Sequence, residues 1–309
     1  MTIDKNYYPG WVRKAITFTI DDGNLKLDRK FINKVRPYGI KGTFNLCAPD
    51  LINYTPAYYL ELYRGFGISN HCKLHPFAMA DGNEYNVSLE PFDAEKSDPN
   101  KIYPISDGLY HYHTNAGWRK IADTEAYCRL VDECKTELEA VFGEGCISTY
   151  VWPYYEQNNS AVQDYVMNKC GYTAVRKTGA TENKTAFAVP ADRMRWSYNA
   201  NHKNLLSCAE DFESFLDDGE LKFFSFGVHS HDFERDNCWD VLDTFAAKYG
   251  NRPETYWYAT VEDIFRYSDA IESLVIKEDV IENHSDIDIY VKIDGARLII
   301  PAKTDYKLS

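Results

Sequence analysis

Residues 15–24 read AITFTIDDGN. The β-branched and aromatic run Ala15–Ile20 predicts a strand, two aspartates stand at its end, and Gly23 allows a tight turn after them. Adjacent carboxylates repel unless a cation, a proton or solvent makes the charge useful. Taken alone, Asp21 and Asp22 read equally well as the cap of a following helix, where acidic residues are common.

The same rhythm continues outward from this stretch. An amphipathic segment (LDRKFINKVRPYG) is followed by GTFNLC, then by PAYYLELYRG and FGISN. Further on, EAYCRLVDECKTELEAVFG precedes CISTYVW, SAVQDYVMNKCG precedes YTAVR, and NLLSCAEDFESFLDDG precedes LKFFSFGV. CWDVLDTFAAKYG, TYWYAT and VEDIFRYSDAI complete the series. Repeated strand–helix units imply an α/β fold with a parallel sheet, and about seven of them favour closure into a barrel. Two segments break the pattern. Residues 77–121 are long, polar and turn-rich, as functional loops of that length often are. The tail 273–309 alternates as strands and reads as a small β appendage to a catalytic unit spanning 1–272.

Composition narrows the partners. The chain has 309 residues and a formal net charge of −13, which argues against nucleic acid, whose phosphates are neutralised by Lys and Arg. Aromatic residues make up 15% of the chain, 24 of them Tyr, and these rings suit sugar faces as well as cores. The eight cysteines are scattered without a CxxC pair and read as reduced, packed thiols. No run of eighteen apolar residues occurs and the N-terminus lacks an apolar leader, so no membrane partner is expected. As written the protein reads as cytoplasmic; a secreted or periplasmic chain stripped of its signal peptide would read the same.

Reactive side chains of parallel α/β folds gather at the C-terminal ends of the strands. Asp21-Asp22 fits that rule. In SNHCKLHPF, His71 and His75 are four residues apart, a spacing that on a helical turn points both imidazoles at one metal ion. Two His plus one carboxylate is a recognised ligand set with positions left open for water and substrate. STYVWPYYEQ ends a strand in Trp152-Pro153-Tyr154, and FFSFGVHSHDFE ends one in His229 and His231.

The ordered set TFTIDDGN, NHCKLHP, WPYY and FGVHSHDF resembles the polysaccharide deacetylase family, also called the NodB-homology domain or carbohydrate esterase family four. The resemblance covers roughly residues 12–268. It implies a distorted (β/α) barrel, commonly of seven strands, and metal-dependent removal of acetyl groups from sugars. It further implies Asp21 as catalytic base, Asp22, His71 and His75 as metal ligands, and His229 as general acid. The Tyr154 N–H would be the oxyanion donor, with Trp152, Pro153 and Trp196 at the substrate. The cofactor expected is a divalent metal, zinc by default, with cobalt, nickel or manganese as alternatives. An Asp base and a His acid together predict a bell-shaped pH–rate profile.

Three departures from the family pattern stand out. The third motif usually opens with an Arg that holds the catalytic Asp, and here that position is Val151. The fourth, usually Asp-x-x-Asp-Trp, matches DRMRW, with Asp192 and Trp196 kept and Arg195 where an Asp belongs. The expectation is that Arg195 replaces the missing guanidinium beside Asp21; an exposed loop arginine is the alternative. Third, segment 77–121, with Tyr103, Tyr110, His111, His113 and Trp118, is expected to overlie the metal-bearing rim and shape the substrate, or else to pack or form an oligomer contact. His231, His202 and His284 stay outside the candidate set.

The leading function is therefore a hydrolase acting on N- or O-acetylated saccharides. An amidohydrolase opening a cyclic amide or imide, as allantoinase-like relatives do, is the second reading, and a non-catalytic carbohydrate-binding relative the third.

Overall fold

Seven strands form one parallel sheet in the computed structural model, which describes residues 1–177 and 187–308. They are β1 (Lys14–Asp22), β2 (Thr43–Leu46), β3 (Gly67–Asn70), β4 (Thr149–Val151), β5 (Ala174–Arg176), β6 (Lys222–His229) and β7 (Tyr256–Tyr258). The order is β5-β4-β3-β2-β1-β6, and β7 takes the Lys14–Ile16 part of the β1 edge that β2 leaves free. Between β5 and β6 the ring is spanned irregularly. Trp196 bridges to Arg176 and Ala200 to Phe226, both in parallel sense. This is the expected distorted (β/α) barrel.

Period-two alternation explains why the strands are buried on both faces. Phe18 faces outward and packs on Phe31 of helix Leu25–Val35, with Phe44 and Phe226 beside it. Thr17, Thr19 and Asp21 point the other way, and all three are buried. Register carries this polar lining around the ring. Asp21 pairs with Asn45 and His229, Asn45 with Ser69, and Thr19 with Thr43 and Gly227. Gly227 has a packing reason: a Cβ there would lie 2.1 Å from the ring of Tyr198. At the opposite end Glu262 accepts hydrogen bonds from Thr43 (2.7 Å) and Thr149 (2.8 Å), tying the starts of β2 and β4 together.

Helix starts follow local chemistry. Asn24 accepts from the Leu27 N–H, so the cap of helix Leu25–Val35 is Asn24 and not the aspartate pair. Thr55 caps helix Pro56–Leu62, which has Pro at its first position, and Asp123 caps Thr124–Phe142.

The tail forms strands as expected, but they draw in the N-terminus. Ile3–Tyr7 pairs with Ile289–Ile293, which pairs with Ala296–Ile300, and a second small sheet joins Val275–Ile276, Val280–Asn283 and Thr304–Lys307. Ile281, Ile289, Val291 and Ile300 share one apolar cluster with Tyr8, Ala15 and helix Val261–Glu272. Ser309 lies outside the described residues. No helix among the described residues is long and apolar enough to cross a membrane.

Segment 77–121 is structured as a sheet rather than a loop. Its strands run in the order Phe77–Ala78, Gly117–Ala122, Leu109–Thr114 and Tyr103–Ser106. His111 stacks on Phe92 at 3.7 Å, and Trp118 meets Phe92, Tyr103 and His113 edge-on. Those rings hold the insertion together.

One buried acid carries a measurable consequence. Asp28 is fully buried on helix Leu25–Val35 and accepts from the Tyr63 hydroxyl at 2.7 Å. Burial pushes its carboxyl up to about 7. A raised folded-state pKa means that stability is lost as pH climbs from the unfolded aspartate value to that figure, by up to roughly 4 kcal/mol. The stability of Asp28→Asn relative to wild type should therefore improve between about pH 4 and about pH 7 and then level off. Urea melts of both proteins across that range test this; a pH-independent difference would contradict it.

Candidate active site

The C-terminal ends of β1, β3, β5 and β6 bring six side chains, Asp21, Asp22, His71, His75, Arg176 and His229, to one mouth of the barrel. In an unbroken strand Asp22 would project away from Asp21. It does not, because Asp22 adopts a left-handed φ of 78° and Gly23 follows with 75°. Asp22 Oδ1 thereby lies 3.5 Å from Nε2 of both His71 and His75. The two imidazoles converge without a helix. Residues 71–75 form an irregular turn with Cys72, Leu74 and His75 all at positive φ, so the imidazoles converge on a backbone other than the helical turn their spacing suggested.

Protonation follows from the partners. His71 Nδ1 sits 2.9 Å from the Val151 carbonyl, which can only accept, so Nδ1 is the donor there and Nε2 is the ring atom turned toward Asp22. His71 is 1% exposed, and its Nε2 and the Asp22 Oδ1 are both buried without a hydrogen-bond partner among the described residues. Buried polar atoms left unpaired are costly, and two of them facing one another across 3.5 Å fit a cation between them. Burial and the neighbouring His71 lower the His75 imidazole to about 4, so it is neutral near pH 7 and able to ligate. Burial would raise Asp22, but the surrounding imidazoles of His71, His229 and His75, in their protonated forms, would hold it well below the usual carboxylate range.

Asp21 is the most enclosed carboxylate of the group. Arg176 Nη2 donates to its Oδ2 at 2.5 Å and Asn45 Nδ2 to its Oδ1 at 2.6 Å. Thr19 Oγ1 accepts from both residues as well, from Arg176 Nη1 at 3.3 Å and from Asn45 Nδ2 at 2.7 Å. Burial alone would raise Asp21; the Arg176 guanidinium beside it keeps it lowered and ionised.

On the other side, His229 Nε2 is 3.7 Å from Asp22 Oδ2, while its Nδ1 bonds Asp232 Oδ2 at 2.9 Å. Asp232 also accepts from the His229 N–H and pairs with Arg235 at 2.6 Å. Burial works against the imidazolium, but Asp232, Asp21 and Asp22 together raise it to about 9. Tyr154, at φ 61°, lies flat on Phe77 of the insertion at 3.8 Å and edge-on to His75 at 4.4 Å. Its backbone N–H donates to no group among the described residues.

Several expected site residues fall elsewhere. The guanidinium on Asp21 belongs to Arg176, not Arg195, which is half-exposed and pairs with Glu156 at 2.8 Å. The reason is register: Arg176 is the direct partner of Val151 across β5 and β4, so the charge absent from one strand is supplied by the next. Asp192 caps the short turn Arg193–Arg195 by accepting from Met194 N–H. Trp196 packs on Phe223 and Phe265, in the apolar cluster that also holds Ala15 and Ala174. Trp152 is fully buried against Tyr150 and Tyr127, and Pro153 is buried with its carbonyl accepting from Gln157. Of the insertion residues singled out, Tyr103, His111, His113 and Trp118 pack within the insertion; the ring that meets Tyr154 is that of Phe77, which was not among them. Sequence reasoning missed Arg176, Asn45 and Asp232. A strand ending in Arg one step after Val151, and an Asp three residues past His229, were the signals available.

The Arg176 assignment gives opposite expectations for two arginines. Arg176→Ala leaves a buried carboxylate unpaired and should cost about 3–5 kcal/mol. Arg195→Ala breaks an exposed pair and should stay within about 0.5 kcal/mol of wild type. Chemical denaturation of the two variants decides between them, and equal losses would remove the assignment.

Residues 12–175 match the family described as polysaccharide deacetylase, more than half of the chain and a span holding Asp21, Asp22, His71, His75 and Tyr154. No curated protein matches the chain. Among solved structures it is similar to the Xyl-CE4 domain of a multidomain xylanase from the hindgut metagenome of Trinervitermes trinervoides (TM-score 0.48, 12% identity, covering 84% of this chain and 92% of that one). It is also similar to a family 4 acetyl xylan esterase from Clostridium thermocellum in complex with a cobalt ion (0.45, 13%, 82% and 90%). A third is the peptidoglycan deacetylase PdaC from Bacillus subtilis (0.44, 12%, 84% and 95%). With its family match running through the strand-end residues that meet at the barrel mouth, the chain belongs to the polysaccharide deacetylase family.

Proposed function

We propose that the protein is a metal-dependent deacetylase of N- or O-acetylated saccharides, with Asp22, His71 and His75 holding the ion. The observation that carries this reading is the facing pair of unpartnered buried atoms, Asp22 Oδ1 and His71 Nε2, with His75 beside them. A divalent cation bound there lowers the pKa of a water and polarises an acetyl carbonyl. Zinc suits the neutral imidazoles and single carboxylate; cobalt, nickel and manganese are alternatives.

The remaining work falls to the chain itself. Asp21 is held ionised and aimed by Arg176 and Asn45, so it is ready to accept the proton of the attacking water. The free N–H of Tyr154 supports the developing oxyanion, and the Phe77 ring under Tyr154 fixes its direction. His229, anchored at Nδ1 by Asp232, keeps Nε2–H available for the leaving nitrogen or oxygen. Acceptor and donor flank the same ion site, as hydrolysis requires.

Acetate release from chito-oligosaccharides and from O-acetylated xylan, with and without chelator, tests the reading and separates amide from ester. Asp21→Asn and His229→Ala should each lower turnover by about 100- to 10,000-fold. Chelator-insensitive activity, or ring opening of a cyclic amide without acetate, would contradict it. Because Asp232 helps raise His229, Asp232→Asn should move the alkaline limb of the pH–rate profile to lower pH, by about one unit. An unmoved limb would take the acid role from His229.

A further inference from the structure

The family-type ligand set leaves one donor atom unexplained. Cys47 follows directly on Leu46, the last residue of β2, which pairs in register with Asp22. A carboxylate oxygen of Asp22, the Cys47 sulfur and a ring nitrogen of His71 all lie within 4.8 Å of one another. Two of these residues present the buried, unpartnered atoms described above, Asp22 Oδ1 and His71 Nε2.

The backbone that presents Cys47 is held from two sides. The Cys134 thiol reaches the carbonyls of Leu46 (3.3 Å) and Cys47 (3.0 Å) from helix Thr124–Phe142. On the other side Gly23 comes so close to Leu46 that a Cβ would meet its side chain at 2.9 Å. The end of β2 is thereby clamped against the turn that carries Asp22. Cys47 is a free, half-buried thiol at the rim, and burial and the Asp22 carboxylate push it up, so the thiol keeps its proton until a metal displaces it.

We propose that Cys47 is a fourth ligand of the metal centre, binding as the thiolate beside Asp22, His71 and His75. This rests on the metal reading of those three residues. Ligation releases the thiol proton to solvent and forms a metal–sulfur bond, with no change of oxidation state. A sulfur ligand turns the site from a nitrogen–oxygen set into one that favours zinc or cobalt over manganese and magnesium. Zinc accommodates five ligands, so an oxygen of solvent or substrate still has a place.

Anaerobic titration of the metal-free protein with cobalt(II) separates the two levels. Visible ligand-field bands report a bound ion, and a near-ultraviolet sulfur-to-cobalt charge-transfer band reports a thiolate ligand. Wild type should show both. Cys47→Ser should keep the visible bands, lose the near-ultraviolet band, and bind zinc about tenfold or more weakly while its manganese affinity changes little. Visible bands without the charge-transfer band, or a charge-transfer band that survives Cys47→Ser, overturn the Cys47 ligand and leave the three-residue site standing. The absence of any cobalt band overturns the metal reading and this ligand with it. Alkylation mapping on wild type covers a variant that fails to fold: Cys47 should react without metal and be protected by zinc, while exposed Cys146 reacts in both. Equal labelling of Cys47 in both states also overturns the proposal.

Discussion

The buried ion pair between Arg176 and Asp21 is the constraint on which the mouth of the barrel depends. A carboxylate 7% exposed at a strand end is tolerable only with a partner in place, and the guanidinium at 2.5 Å is that partner. β5 and β1 are not neighbours in the sheet, so the pair reaches across the barrel interior rather than along one ladder. Asn45 and Thr19 complete the network, which is why the inward faces of these strands are polar while the outward faces are aromatic and aliphatic.

Around that fixed carboxylate, backbone strain supplies direction. Asp22, Cys72, Leu74, His75 and Tyr154 all take positive φ, conformations that cost roughly 1 kcal/mol or more each and survive only where the surrounding structure enforces them. The strain does the aiming. It turns Asp22 back beside Asp21, folds two histidines onto one oxygen, and leaves the Tyr154 N–H without an acceptor among the described residues. The insertion joins in through Phe77, whose ring supports Tyr154. A family scaffold and a chain-specific segment therefore meet on one tyrosine.

Much of this was legible from residues in order. AITFTI alternates as a barrel strand must, the aspartates stand at its C-terminal end, and His71, His75 and His229 follow later strands at the same face. Arg195 was misassigned because a vacancy at Val151 was filled from the nearest motif, whereas β4 and β5 fill it by register. Trp152 and Trp196 read as substrate contacts in sequence; strand parity turns Trp152 into the packed layer under helix Thr124–Phe142, and Trp196 is taken up by the cluster of Phe223, Phe265 and Ala15. The insertion was read as a loop because its turn residues hide four short strands whose pairing is non-local.

Hydrophobic period and motif order are local properties, and by themselves they determined the α/β class, the strand ends and the candidate ligands and proton carriers. Which arginine meets Asp21, which face each tryptophan takes, and how Cys47 comes beside Asp22 and His71 were decided by tertiary structure. Those outcomes depend on cross-strand register and on the sign of φ at a few residues. Both are set by packing between segments far apart in the chain, and no periodicity within a segment encodes them.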